Sequence, residues 1–470
     1  MADSTRPNVL FILADDQRFD MLGALGRSPV RTPNLDRLMQ RGTTFTRAHI
    51  MGGSSGAVCM PSRAMIHTGK TLYSLDEAGH NIPADHTMLG EHLRSHGYHT
   101  WGCGKWHQTP DAFQRSFADG DEIFFGGMTD HWNVPAHHYD PTGRYDNHLP
   151  VCPTPMQNNE VVQRHCDHIE AGKHSSELFA DAAIRFVENA SRDKPWFTYI
   201  SLLAPHDPRT MPQRFLDMYD PDSIELPENY LPVHPFDNGE LSVRDEKLAG
   251  LPRTESEVRR HIAEYYAMIT HLDHEMGRVF ETLEATGQLE NTVVVFAGDN
   301  GLAVGQHGLM GKQSLYDHSV RVPLIMAGPG VPENQRSDSL CYLLDIFPTL
   351  CDLLGLDTPD SVEGKSLKPC FDDPSATARD LVHLAYRHLM RGVSDGKHKL
   401  IEYAVDGHRR TQLFDLEQDP WETKDLIDHP DQGETVTRLR KEVEKWREEL
   451  NDHWEPQGGV FWQTYDQPAG

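Results

Sequence analysis

Apolar residues fall in short continuous blocks along the first three quarters of the chain. Asn8-Val-Leu-Phe-Ile-Leu-Ala14 is the first, and it ends in Asp15-Asp16-Gln17. A block apolar on both faces predicts a central strand covered by helices on both sides. Similar blocks predict strands over Tyr98–Cys103, Trp196–Leu203, Thr292–Ala297 and Val322–Ala327. Between them the apolar spacing turns helical, over Thr87–His96, Ser175–Ala190 and Glu257–Ala285. Pro33–Met39 predicts a further helix, with Thr32 as N-cap and Pro33 at its first position. Strands alternating with helices indicate an α/β fold: a large, mostly parallel or mixed sheet flanked by helices on both faces.

Two stretches break this rhythm. Residues 108–174 and 207–255 are rich in Pro, His, Asp and Asn and lack a clear period. Long loops in a compact enzyme are usually pocket walls or lids. After about Gly364 the pattern changes again. Lys397–Tyr403 and Gln412–Leu416 read as antiparallel strands, and Val436–Leu450 as a charged amphipathic helix. The expected organisation is a main α/β domain over 1–363 and a smaller α+β subdomain over 364–470.

Composition narrows the function. The 470 residues hold 44 Lys+Arg against 71 Asp+Glu, a net charge of −27. That balance disfavours nucleic acid or a membrane surface as the main partner, but not a small anion in a locally positive pocket. No apolar run approaches the roughly 18 residues of a membrane helix. The seven Cys include no CxxC pair, so neither a disulfide framework nor a zinc ribbon is expected. The N-terminus lacks the basic and then apolar pattern of a leader. The expected location is cytoplasmic, or periplasmic or secreted if a leader was removed. The oligomeric state is left open.

Candidate chemistry concentrates at Cys59-Met60-Pro61-Ser62-Arg63, which follows the glycine-rich Gly52–Gly56. The apolar spacing after Pro61 predicts a helix starting there, whose free N–H groups would suit an anion. Arg63 would add a planar cationic donor. Taken alone, the block equally suits a buried Cys beside a helix cap. Asp15, Asp16, Asp299 and Asn300 each follow an apolar strand, at the sheet edge where α/β proteins bind ligands. As oxygen donors they suit a hard cation; as strand-end Asp and Asn they also suit turns. Lys105 and His107 follow another strand two residues apart, on one face if extended. His206 and Lys312 follow further strands toward the same edge.

With Thr68-Gly69 further on, the Cys59 block resembles the signature of the type I, formylglycine-dependent sulfatases, a family of the alkaline phosphatase superfamily. Further blocks resemble the family's in order. They are Asp15-Asp16, Gly104-Lys105-Trp106-His107, Pro205-His206-Asp207-Pro208, Asp299-Asn300-Gly301, Gly305-Gln306-His307-Gly308 with Lys312, Arg321-Val322-Pro323-Leu324, and Gln412–Leu416 with Asp419-Pro420. The resemblance covers roughly residues 7–430.

It implies a sulfuric ester hydrolase in which Cys59 is oxidised to formylglycine by a formylglycine-generating enzyme. It implies Ca²⁺, less readily Mg²⁺ or Mn²⁺, held by Asp15, Asp16, Asp299, Asn300 and the formylglycine at position 59. Arg63, Lys105 and Lys312 would hold sulfate, His206 would protonate the leaving alcohol, and His107 would act as base. For the substrate, a sulfated carbohydrate (mono- or oligosaccharide) is expected. His131, Trp132 and His137 in the first long loop, and Arg387 and His388 from the C-terminal part, are the expected contacts. The strong negative charge disfavours a long polysulfated polymer. Two other readings stay open: a phosphonate or phosphate mono- or diester hydrolase on the same scaffold, and a non-catalytic binding protein of the same fold.

Overall fold

A computed structural model describes residues 6–453 and 457–467. The Asn8–Ala14 strand lies near the middle of an eight-stranded sheet. It pairs in parallel with Trp196–Ser201 on one side and Thr292–Gly298 on the other. His99–Lys105 and Asp119–Phe124 extend the parallel run to one edge. Leu324–Ala327 enters antiparallel beside Thr292–Gly298, and Gly42–Phe45 and Gln335–Ser337 complete the other edge. The sheet is thus mixed, as expected.

Alternate side chains of the first strand enter two different cores. Leu10, Ile12 and Ala14 pack with residues of the Ser175–Asn189 and Glu255–Ala285 helices. Val9, Phe11 and Leu13 pack with Ala64, Ile66, Leu93 and Phe347 on the opposite face. Every residue of this strand is buried, which is why it is apolar without alternation.

Several local expectations need correction. Val322–Ala327 is not one strand. Pro323 divides it, and Arg321–Val322 pairs instead with Ala48–His49 in a separate small sheet. Residues 108–174 are not loop throughout, since they contain the Pro110–Ser116 helix and the main sheet's Asp119–Phe124 edge strand. That strand reads Asp-Gly-Asp-Glu-Ile-Phe, and charge on an edge strand hides its periodicity. Thr32 does not cap the Pro33–Gln40 helix with its side chain. Asp273, from the long Glu255–Ala285 helix, accepts from Asn34 N (3.1 Å) and Leu35 N (2.8 Å) instead. Thr32 is occupied elsewhere, donating to Asp36 and accepting from Gly23 N.

In the C-terminal part, Val382–Tyr386, Met390–Ser394, His398–Val405 and His408–Asp415 form an antiparallel sheet. The Gly433–Glu449 helix packs Val436, Leu439 and Val443 against it. A fifth, parallel strand is Gly52–Gly53, from the segment just before Cys59. Gly52 is required there: its φ is 103°, and a Cβ would sit 2.0 Å from the Ala385 carbonyl oxygen. Among the described residues no helix is long and apolar enough to cross a membrane.

Candidate active site

The two central strands end together, with Ala14 opposite Gly298. The side chains that follow, Asp15 and Asp16, therefore meet Asp299 and Asn300 at one sheet edge. Asp16 N donates to Asp299 Oδ1 (3.0 Å), and Asn300 Nδ2 donates to Asp16 Oδ1 (2.7 Å). Asp16 holds a φ of 66°, a conformation that costs a non-glycine residue about 1–3 kcal/mol. Tyr265 from the long helix fixes it, donating its hydroxyl to Asp16 O at 2.6 Å.

Cys59 opens the Cys59–Thr68 helix, two residues earlier than expected. Pro61 is tolerated because first-turn N–H groups have no helical partner. The thiol, 2% exposed, lies with carboxylate oxygens of Asp15 and Asp299 in one group whose atoms are within 4.8 Å of one another. Lys105 Nζ is 3.5 Å from Sγ and 2.5 Å from Asp15 Oδ2, and His107 Nδ1 is 3.4 Å from Sγ. Lys105 ends its strand just past a register shift, where the step from Gly102 to Gly104 faces the longer step from Gly120 to Ile123, so that the bulge lies in the Asp119–Phe124 strand. Lys312 Nζ meets Asp16 Oδ1 at 2.5 Å. His206 Nε2 stands 3.7 Å from Asp16 Oδ2, and its Nδ1 donates to Asp207 O at 2.7 Å.

Arg63 is placed differently from expectation. It is fully buried behind the carboxylates and does not line the pocket. Nε donates to Asp299 Oδ2 (2.9 Å), and Nη1 to Lys105 O (2.9 Å) and Ser201 Oγ (2.5 Å). Its charge balances Asp299 and braces the Lys105 backbone.

Burial sets the protonation states. It pushes the Cys59 thiol up, so the sulfur is neutral. Burial, then Lys105 and Arg63, pull His107 down to about 2, leaving the imidazole neutral. Burial and the neighbouring Asp15 raise Asp299 to about 6. Burial would raise Asp15 too, but Lys105, His206 and Arg63 outweigh it and hold Asp15 below the usual carboxylate range. Lys312 is raised, the charge of Asp16 overcoming burial.

Two acceptors here, Asp15 Oδ1 and Asn300 Oδ1, are buried without a hydrogen-bond donor among the described residues. Oxygen ligands, crowded carboxylates and bare acceptors fit a hard cation. A neutral thiol does not, whereas an oxygen at position 59 would.

An open pocket of about 290 Å³ lies over Cys59, lined also by His107, His206, Lys312, Arg244 and Gln313. None of the five expected substrate contacts lines it. His131 is buried, donating Nε2–H to His206 O (2.9 Å) and accepting from Ser175 at Nδ1 (2.7 Å). It therefore holds the backbone of His206. Trp132 packs edge-on against His174. His137 is buried against Phe125, Tyr145 and His165. Arg387 pairs with Glu240 at 2.6 Å, and His388 lies beside it, half-buried. Sequence reasoning missed Arg244, which grips Asp207 through both terminal nitrogens and also contacts Asp245 at 2.7 Å. No period marks it; its only signal is a cation within an acidic, Pro-rich loop.

A family model described as sulfatase matches residues 7–356, and one described as N-sulphoglucosamine sulphohydrolase, C-terminal, matches 305–449. An arylsulfatase of Clostridium perfringens is 29% identical over 464 residues, spanning 93% of each chain. A solved structure bound to its substrate D-glucosamine-2-N,6-O-disulfate superposes with a TM-score of 0.72 at 21% identity, covering 95% of this chain and 99% of that one. The phosphonate monoester hydrolase of Agrobacterium radiobacter superposes with a TM-score of 0.71 at 22% identity, covering 95% and 96%.

Proposed function

The chain belongs to the sulfatase family and is a sulfuric ester hydrolase, and from that premise we propose that it acts on a sulfated carbohydrate through an oxidised Cys59. The observation that carries this reading is the position of Cys59. It sits at a helix start with Lys105 at 3.5 Å, His107 at 3.4 Å and two carboxylates beside it.

In this reading residue 59 is formylglycine, hydrated to a geminal diol. One hydroxyl gives up its proton to water and its oxygen attacks sulfur, while the bond from sulfur to the sugar oxygen breaks. His206, with its Nδ1–H fixed on Asp207 O, gives its Nε2 proton to the leaving oxygen. The resulting sulfate ester on residue 59 then collapses. His107 removes the proton of the second hydroxyl, the carbon–oxygen bond to sulfate breaks, and the aldehyde returns. Lys105 and Lys312 stabilise charge on the sulfate oxygens, and Arg63 keeps Asp299 ionised from behind. A cation, with Ca²⁺ best matched to the oxygen donors of Asp15, Asp16, Asp299 and Asn300, would supply Lewis-acid polarisation when bound.

The sugar assignment is supported by the substrate of the structural neighbour, a disulfated glucosamine. Arg244 and Gln313 offer planar donors at the pocket wall. The net charge of −27 disfavours a long polysulfated chain. Likeness to a phosphonate monoester hydrolase supports a second reading on the same residues.

Two measurements test the proposal. Peptide mass spectrometry of active enzyme should find aldehyde at position 59, and Cys59→Ala should abolish turnover. Full activity with an unmodified thiol would refute the mechanism. Comparing kcat/KM for sugar sulfates, phosphate esters and phosphonate esters separates the two readings, and a phosphonate preference would favour the second.

A further inference from the structure

The C-terminal sheet meets the main body at a second cavity, of about 360 Å³, which shares no lining residue with the pocket over Cys59. Its walls come from the Arg47–His49 corner, the Arg321 segment and the Ser394–Gly396 turn. Four arginines line it: Arg27, Arg47, Arg321 and Arg336. We propose that this cleft is a binding site for a free tetrahedral oxyanion, sulfate or phosphate, separate from the catalytic pocket.

The charges decide the sign of the site. Arg321 pairs with Asp317 at 3.1 Å. Asp317 also meets Lys399, which holds Glu422 at 2.7 Å. Those two cations and two carboxylates balance. His49 at the floor is neutral, pulled to about 4 by burial. Asp338 is the other carboxylate in the wall, and it accepts from the Thr46 hydroxyl. Arg27, Arg47 and Arg336 form no ion pair among the described residues. Three free guanidiniums against one carboxylate leave the cleft positive on a chain whose net charge is −27.

The geometry brings these cations together. Arg27 and Arg321 lie over the same ring, Phe19, at 5.4 Å and 4.2 Å from its centroid. Partial burial of its guanidinium and then the charge of Arg321 lower the pKa of Arg27, against the smaller opposing pull of Asp20, Asp317 and Asp338. Arg47 reaches across the seam to the C-terminal sheet, where a Cβ on Gly396 would come within 2.6 Å of its Nη1. Arg336 donates one nitrogen to Ala24 O at 3.0 Å and keeps its charge. Guanidinium forks match the paired oxygens of sulfate and phosphate, and an anion between them would relieve their repulsion.

The test counts radiolabelled inorganic sulfate bound to the full-length chain by equilibrium dialysis at low ionic strength. The wild type should bind one more sulfate than an Arg27→Gln/Arg47→Gln double variant. That extra site should persist in Lys105→Ala, whose lesion lies in the catalytic pocket. Arg27 lies at the exposed rim, so the single Arg27→Gln variant guards against misfolding of the double one; it should weaken the same site about 10- to 100-fold, as expected for one lost charged hydrogen-bonding group. Equal stoichiometry in wild type and double variant would overturn the proposal. So would loss of the extra site in Lys105→Ala, which would return it to the catalytic pocket.

Discussion

Asn300 turns its amide nitrogen to Asp16, 2.7 Å from Oδ1, and so leaves its own Oδ1 buried without a donor. A bare buried acceptor costs about 1–3 kcal/mol, and Asp15 Oδ1 nearby is a second one. A hard cation would satisfy both. Added Ca²⁺ should therefore raise the Tm, and chelation should lower it. At a hundredfold excess over Kd the stabilisation is about 2.7 kcal/mol. Asp299→Ala and Asn300→Ala should each remove most of the shift. A Tm indifferent to Ca²⁺, Mg²⁺ and Mn²⁺ alike would rule out the cation site.

Leaving-group protonation and sulfate binding are separable by substrate. A sugar sulfate departs as an alkoxide and needs the proton of His206, whereas an activated aryl sulfate departs as a stable phenoxide. His206→Ala should lower kcat/KM on the sugar sulfate by about 10²–10⁴-fold and on the aryl sulfate far less. Lys105→Ala removes charge from the sulfate itself, so both substrates should fall by similar factors. Equal losses for His206→Ala would reassign the acid, with Lys312 the next candidate.

Asp273 ties the long helix to the start of the Pro33–Gln40 helix, and burial raises its carboxyl to about 6 although Leu35 and Asn34 donate to it. A folded value above the unfolded one means that the protonated form is favoured on folding. That stability is fully present below about pH 4 and is lost as pH rises through 6. Asp273→Ala should thus be more damaging at pH 5 than at pH 7, on top of a capping loss of about 0.5–2 kcal/mol at both. Urea midpoints for the two proteins at the two pH values give the comparison. A cost that is the same at both would show that Asp273 does not titrate in this range.

Lys399 is completely buried between Asp317 and Glu422. It joins the C-terminal sheet to the short Asp317–Val320 helix, whose Ser319 carbonyl accepts from Gly301 N beside Asn300. Lys399→Ala would strand the buried Glu422 and leave Asp317 with Arg321 alone, a loss of about 3–5 kcal/mol in unfolding free energy. A drop below about 1 kcal/mol in denaturant titration would mean that water reaches the pair.

The sheet edge was legible because central strands admit no alternative. Asn8–Ala14 and Thr292–Gly298 are buried on both faces, so they read as uniform apolar blocks, and the residues that follow them must emerge together. The Cys59 helix was legible from its block, although its start was displaced by two residues because proline signals a first turn and not a first residue. The substrate wall was not legible. His131 looked free in sequence, but Ser175 and the His206 carbonyl, distant in the chain, claim both its nitrogens. Arg63 could be assigned a charge from sequence, but not the side of Asp299 on which it stands. Asp273 took the capping role from Thr32 for the same reason: the competitor comes from another helix and leaves no local trace.

The pairing of Gly52–Gly53 with Ala385–Tyr386 orders events during synthesis. The ribosome delivers Gly52 long before Ala385, so the segment leading into Cys59 emerges without its neighbour. It cannot take its final shape until most of the polypeptide has been made. A transcript ending before codon 382 would yield a chain with its reactive segment present but its edge unsupported. The last strands to be translated thus complete the setting of a residue near the first.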